Sequence, residues 1–525
     1  MPEPAVGETL GVGEPARLDR LSSEQHRILA YASAIGSEFD FPLLVAAMGA
    51  NEEALAEQLE RLVHAGILTE RAGGDRFAFA EEAFRARIYR SLTESRLRVL
   101  HRKIAEAMEA AYRDPPLEVV AELGRHFFLG KVPEKSRAYN RRASEAARAA
   151  DDPEAAAHYL ERVAVDLAAM PGDPRRELAE IDTALGELYF SIGNFAAADR
   201  HFTSALGRLG SDEPRIRGAV LLARAEIARE NLDTDGATHQ ALEAQRLFEQ
   251  VDDRLGAAQT FRLLGRLAFQ RGDYRDALDE NMRALDAIGD SREPRFIGRL
   301  SIEMGNAFAL LGPAVRDEAI AWYERAIRRL SEVGDWVELS RAYHELGVLV
   351  GETRPQDGLD DLERARDLGE RAHDSRSTGR ALLSGVELRL ALGQLEEASR
   401  DNEQAGRILE RLNDDLGIEQ VEVNRGLIGE KQGQWEDAER AFELAIAMCR
   451  RHRLPAAEAQ VHFYLARLRF KTRNFEGARA ELEAAARLGV AELRPGLAPA
   501  FAELAAQLAR AADPPAGTAD GRVAP

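Results

Sequence analysis

The chain has 525 residues, a formal net charge of -20, 30% charged and 6% aromatic residues, and one cysteine, Cys449. That acidity opposes general affinity for nucleic acid or anionic lipid, because phosphate binding runs on counterion release by Lys and Arg. A lone thiol excludes an internal disulfide and a thiolate metal cluster, and with no apolar run near the ~20 residues that span a bilayer it predicts a cytoplasmic protein without a membrane anchor.

In chain order, residues 1–17 are Gly, Pro and Glu-rich without an apolar core, which predicts a disordered N-terminus and no signal peptide. Residues 18–92 read as a small domain. Ser22 or Ser23 can cap a helix through Ile35, with Leu21, Ile28, Leu29 and Ala32 as its apolar stripe. A short helix follows near Pro42 to Met48, and Asn51 caps a third that runs to Ala65 with Leu55, Leu59 and Leu62 on one face. Ile67–Glu70 and Arg76–Phe79 then alternate in the strand sense across Ala72-Gly73-Gly74-Asp75. Three helices and a hairpin predict a winged-helix domain, whose third helix would be the one to enter a major groove. Here that helix sets Glu52, Glu53, Glu57 and Glu60 against Arg61, so DNA reading is not expected.

Residues 93–135 read as a helical connector. Across residues 85–148 fifteen Lys/Arg stand against eight Asp/Glu. Arg85, Arg87, Arg90, Arg98 and Arg102, with Arg141 and Arg142 further on, form a basic patch that is either a solvated helix face or a docking surface for an acidic partner.

From 136 to 490 a phrase returns about every forty residues: a turn residue, an aromatic or Leu two places on, and a small residue three after that. It reads Gly193-Asn194-Phe195 with Ala198, Gly272-Asp273-Tyr274 with Ala277, Gly393-Gln394-Leu395 with Ala398, Gly433-Gln434-Trp435 with Ala438, and Arg473-Asn474-Phe475 with Ala478. Over the whole stretch Ala156, Ala198, Ala237, Ala277, Ala319, Gly358, Ala398, Ala438 and Ala478 are spaced by 42, 39, 40, 42, 39, 40, 40 and 40 residues. A fixed period of this size marks a solenoid, in which each unit buries its apolar face only by stacking on its neighbours. Helical periodicity on both sides of Gly272-Asp273 makes the unit a helical hairpin, repeated about nine times. Two units depart: Asn231–Gly236 reads as an insertion and Gly351–Gly358 as a longer loop in place of the turn. Residues 491–512 should supply a capping helix, and the Pro/Gly/Ala-rich 513–525 a disordered tail.

Leu264-Gly265, Ala268, Gly272, Tyr274 and Ala277, with the glycine recurring at Gly186, Gly305, Gly347 and Gly426, resemble the tetratricopeptide (TPR) repeat in the extended, forty-residue form of kinesin light chains. The resemblance implies an all-α, right-handed TPR-like α-solenoid that displays its first helices along a concave groove. With the Gly of Leu-Gly as position eight, positions two, five and nine face that groove: Arg262 and Arg266, Arg299 and Asn306, Arg341 and His344, then Arg380 and Glu387. Arg299 with Glu303 and Arg341 with Glu345 are spaced for i, i+4 pairs, whereas Arg262 and Arg266 put like charges one turn apart. Either these cations form a groove for an acidic or carboxylate-bearing peptide, or they are an ordinary solvated face.

Phe77, Phe79, Tyr89, Leu92, Arg96, Leu100, His101, Ile104 and Ala105 are similar to the segment that closes the winged helix of STAND-type regulatory ATPases and leads into TPR repeats. The resemblance implies a sensor role, with two departures. There is no room for a nucleotide-binding domain ahead of residue 18 and no Gly-x4-Gly-Lys-Ser/Thr anywhere, and the family's phosphate-facing His aligns with Glu81. The chain is therefore not expected to bind or hydrolyse ATP itself, and any NTPase would be a separate subunit.

No His-Glu-x-x-His, Cys-x-x-Cys or Gly-x-Ser-x-Gly occurs. His344-Glu345 lacks a second His, His462 sits among aromatics, and Glu396-Glu397 and Asp360-Asp361 read as helix starts. These features predict a non-enzyme without metal or cofactor that binds a protein or peptide partner, acting either as an adaptor or as the sensor half of a STAND-like system.

Overall fold

The computed structural model describes residues 21–71, 73–112, 114–289 and 293–512. The two ends expected to be disordered, 1–17 and 513–525, lie outside the described residues, as does Ala72 of the hairpin turn. The chain divides into two compact units after Thr260.

The first unit opens with α1 (Ser23–Ile35), β1 (Glu38–Asp40), α2 (Phe41–Met48), α3 (Glu52–His64), β2 (Leu68–Glu70), β3 (Arg76–Phe79) and α4 (Glu82–Ser91). Ser22 caps α1 in a reciprocal box with Gln25, and Asn51 caps α3 through the Ala54 amide. The three strands form an antiparallel sheet in the order β1-β3-β2, with Phe39 opposite Phe77 and Leu68 opposite Phe79. Strand β1 escapes the sequence reading because three residues hold too little alternation to register. Its Phe39 stacks on Phe77 at 6.0 Å between ring centres and faces the core. That core also takes in Ile28, Leu44, Leu59 and Ile88, then Leu100 and Ile104 of α5 (Glu94–Ala111) and Phe127 of α6 (Leu117–Leu129).

Helical hairpins follow: α7 (Pro133–Ala149) with α8 (Pro153–Ala168), α9 (Arg175–Ser191) with α10 (Phe195–Arg208), and α11 (Pro214–Glu230) with α12 (Thr234–Gln250). Helix α13 (Arg254–Arg271) carries the division between the units, and the second unit continues with α14 (Tyr274–Ile288), α15 (Pro294–Leu311), α16 (Arg316–Ser331), α17 (Trp336–Gly351) and α18 (Pro355–Arg371). It ends with α19 (Ser375–Leu392), α20 (Leu395–Arg411), α21 (Asp415–Gln432), α22 (Trp435–His452), α23 (Pro455–Lys471), α24 (Phe475–Arg487), α25 (Val490–Leu493) and α26 (Ala498–Ala512). The fold is an all-α TPR-like solenoid behind the small N-terminal sheet.

Every one of the nine periodic small residues stands at the fourth position of its helix, and all nine are buried. A fourth-position residue is the first whose amide bonds back to the N-cap carbonyl, as Ala198 does to Asn194 and Ala438 to Gln434. With only a methyl there, the second helix lies close against the first. The first helix answers with glycine: a Cβ on Gly186, Gly305 or Gly426 would sit 2.5, 2.5 or 2.4 Å from the ring of Phe202, Tyr323 or Phe442.

The two suspected irregular units are regular. Asn231-Leu232-Asp233 is a three-residue turn, with Leu232 in the left-handed region (φ 62°) that Gly193 occupies two helices earlier (φ 80°). Glu352-Thr353-Arg354 likewise replaces the expected loop, because α18 begins at Pro355 and Gly358 packs on Gly351, where a Cβ would lie 2.4 Å from the Gly351 Cα. The true departure is a 3-10 turn at Pro313–Val315 between α15 and α16. Asp360 and Asp361 fall in the second turn of α18, not at its start.

Candidate functional site

Repetition places side chains from successive first helices side by side, so charges about forty residues apart become neighbours. In the second unit Arg262 of α13 grips Glu303 of α15 at 2.6 Å, Arg299 of α15 grips Glu338 of α17 at 2.8 Å, and Arg467 of α23 grips Glu430 of α21 at 2.6 Å. His344 of α17 continues the series with a 3.0 Å hydrogen bond to Ser384 Oγ of α19. The first unit does the same with Arg148 to Glu187 at 3.5 Å and Arg215 to Asp253 at 2.7 Å. Both expected i, i+4 pairs are corrected: Arg299 turns across to Glu338 of α17 rather than to Glu303, and Arg341 approaches the same Glu338, three residues back on its own helix, at 3.8 Å rather than Glu345. Arg262 is neutralised by Glu303, so its neighbour Arg266 faces an ion pair and not a bare like charge. Asn306 accepts from the buried Tyr323 hydroxyl at 2.7 Å and is part of the helix contact.

One rung is broken. By the spacing that joins Arg299 to Glu338, Arg380 of α19 should meet Glu419 of α21. Glu419 is instead 6% exposed and accepts a hydrogen bond from Cys449 Sγ at 3.3 Å. Burial pushes the Glu419 carboxyl above its ordinary range against the pull of Cys449, Arg494 and His452, and burial together with Glu419 pushes the thiol up to about 12. Among the described residues no hydrogen bond or ion pair engages Arg380, which acts on Glu345 only through space.

Arg380 borders a cleft of about 560 Å³ between α17, α19 and α21, lined by His344, Val348, Leu383, Ser384, Glu387 and Leu388 among others. Glu387 stands exposed two turns along α19 from Arg380; the protein around it pushes its carboxyl up while Arg494 pulls the other way, without a hydrogen bond between them. Two smaller clefts, of about 340 and 190 Å³, share walls with the first at Val348 and Glu352, and at His344 and Arg380. Of the eight residues expected to face the groove, the structure therefore brings His344, Arg380 and Glu387 to one cavity, with Arg341 beside His344 and Arg380 in the smallest of these three clefts.

The basic patch lies on α4, α5 and α7 of the first unit and is largely compensated. Arg85 binds Glu82 and the Ser33 carbonyl, Arg98 pairs with Glu94 at 3.2 Å, Arg141 pairs with Glu177, and Arg142 approaches Asp114 at 3.7 Å. Arg87, Arg90 and Arg102 are exposed without an ion pair among the described residues. On α3, Arg61 is taken up by Glu57 at 3.2 Å, which leaves the helix face acidic.

Sequence reasoning singled out His101 but missed its partners. His101 and His126 are buried with their Nδ1 atoms 2.9 Å apart, Tyr89 Oη is 2.8 Å from His101 Nε2, and Arg125 Nη2 is 2.8 Å from His126 Nε2. Because Arg125 must donate, His126 Nε2 accepts; His126 Nδ1 then donates to His101 Nδ1, and His101 Nε2 donates to Tyr89. Both rings are neutral in this chain of bonds. Burial and Arg125 push His101 down to about 4, and burial, Arg125 and His101 push His126 down as well.

Among the described residues no group of three or more His, Cys, Asp or Glu is placed to hold a metal ion, and no helix is long and apolar enough to cross a membrane. No protein-family model and no curated protein matches the chain. Solved structures match at low identity. A signal transduction ATPase with numerous domains (STAND) with a tetratricopeptide repeat sensor, from Pyrococcus horikoshii, is 14% identical with a TM-score of 0.47, over 88% of this chain and 66% of that one, just under two thirds. Aspartyl phosphate phosphatase F from Bacillus subtilis is 13% identical with a TM-score of 0.46, over 67% and 94%. A Rap protein complexed with competence and sporulation factor gives 12% and 0.46, over 69% and 99%. At these identities and scores the likenesses carry no argument about what this chain does.

Proposed function

We propose that the chain is a non-catalytic, cytoplasmic interaction scaffold that holds partner protein segments against the first helices of its hairpins. One observation carries the reading. In a series of first helices whose charges are spent on one another, Arg380 stands without its carboxylate at the edge of a 560 Å³ cleft that also offers exposed Val348. Clefts of this size with a few convergent polar groups are the usual form of a binding site. Titrating the full chain with labelled acidic peptides of about ten residues tests it: Arg380→Glu should weaken binding at least tenfold, and unchanged affinity would remove the groove.

A second reading rests on the N-terminal elements. Helices α1 to α3 with the β2–β3 ribbon have the order of a winged helix, and Tyr89 of α4, the helix that follows the ribbon, is bonded to His101 of α5, the next helix toward the repeats. In this reading the chain is the sensor half of a STAND-like switch whose NTPase is a separate subunit docking on Arg87, Arg90 and Arg102. Co-purification of a P-loop protein that is lost with Arg87→Glu and Arg90→Glu together would support it; co-purification indifferent to both would not.

A further inference from the structure

The cleft presents two charges that its own helices leave unspent, of opposite sign and on one helix. Arg380 lost its rung when Glu419 turned inward to Cys449. Glu387 has Arg494 facing it through space, and Tyr464 and Glu419 share that same cation at a distance. Seven residues along α19 amount to about 10.5 Å of rise. The wall beside the two charges is mixed: Val348 of α17 and Leu383 and Leu388 of α19 give it an apolar side, and His344, Ser384 and Gln420 a polar one, of which His344 and Ser384 are hydrogen-bonded to each other. Glu352, the remaining carboxylate of the cleft, is already held by Arg316.

Taking that backbone rise as the scale of the spacing, an occupant that satisfies both ends carries a carboxylate and an ammonium roughly 10 Å apart, with an apolar side chain between them to meet Val348 and Leu388 on the apolar side of the wall. An extended peptide rises ~3.3–3.6 Å per residue, so the termini of a free tripeptide have this separation. We propose that the cleft binds short free peptides of about three residues, the C-terminal carboxylate on Arg380, the N-terminal amine on Glu387, and an apolar central residue against Val348, Leu383 and Leu388. The inference rests on the reading of this face as a peptide groove and narrows its ligand. A longer acidic segment of a folded partner would use Arg380 but have no call on Glu387.

Calorimetric titration of the full chain with Ala-Leu-Ala, its N-acetylated form and its C-terminal amide decides the matter. Free Ala-Leu-Ala should bind, and blocking either end should cost about tenfold, the scale of one charged hydrogen bond. In Arg380→Met the free and amidated peptides should bind alike, and in Glu387→Gln the free and acetylated ones should. Binding insensitive to both caps, or unchanged in both variants, overturns the proposal, as does no binding of any of the three. Should all three fail while acidic ten-residue peptides still bind in an Arg380-dependent way, the tripeptide inference falls and the scaffold reading stands. Failure of both sets removes the groove altogether.

Discussion

An aromatic ring seated on a bare Cα recurs in these hairpins, at Gly186, Gly305 and Gly426. At Gly426 a Cβ would come within 2.4 Å of Phe442, whose side chain is fully buried and has nowhere to yield. Gly426→Ala is expected to destabilise by roughly 1–3 kcal/mol as an overpacked contact, read from the urea midpoint. The opposite sign is expected at Leu232, which is 82% exposed and held at φ 62°. Replacing it with Gly removes left-handed strain of about 1–2 kcal/mol and returns part of that as chain entropy, for a net gain of about 0.5–1 kcal/mol in the same measurement.

Acid acts on the paired imidazoles. The folded state holds His101 at about 4, below its ordinary 6.5, so between those values the unfolded chain binds more protons and the fold loses stability as pH falls. The contribution is intact above pH 6.5 and declines by up to ~1.4 kcal/mol per pH unit for each ring on the way down. Thermal melts from pH 8 to 4.5 should show this slope, and His101→Gln with His126→Gln should flatten it; equal slopes in both proteins would count against the neutral pair.

Within elements, much was legible in advance. Ser22 and Asn51 announce their helices by type and position, and the nine small residues fix the second helix of each hairpin because one steric requirement recurs at a constant place. What stayed hidden has physical reasons. Strand β1 is too short to show a period. Leu232 does a glycine's work at a turn, and so looked like an insertion. Arg299 and Arg341 have attractive carboxylates one turn away, so local spacing pointed to Glu303 and Glu345, whereas stacking supplies Glu338 to Arg299, and Arg341 meets that same carboxylate three residues back on its own helix. The repeat period itself held the missing signal: opposite charges about forty residues apart recur along the chain and could have been paired in sequence. Neutralising one such pair by Arg299→Met with Glu338→Gln should cost little more than either change alone, and a double-mutant cycle should return a coupling of about 1 kcal/mol or more, since Glu338 is largely buried.

For the whole molecule, stability in a stack is a sum of units and nearest-neighbour contacts, and long arrays lose two-state behaviour. All three tryptophans, Trp322, Trp336 and Trp435, belong to the second unit. Tryptophan fluorescence and far-ultraviolet circular dichroism should therefore report non-coincident urea transitions, and superimposable curves would indicate a single cooperative block.

The constant fourth-position residue also sets the currency in which this chain can be lengthened or cut. Ala398 and Ala438 are interchangeable addresses: each is the first turn of a second helix, fully buried and bonded to a Gln carbonyl. Excising residues 398–437 joins two equivalent points, so helix phase is preserved across the splice, whereas a twenty-residue excision would put the solvent face of one helix where the core of another belongs. A change in the number of whole units therefore leaves the packing of the remaining ones as it was.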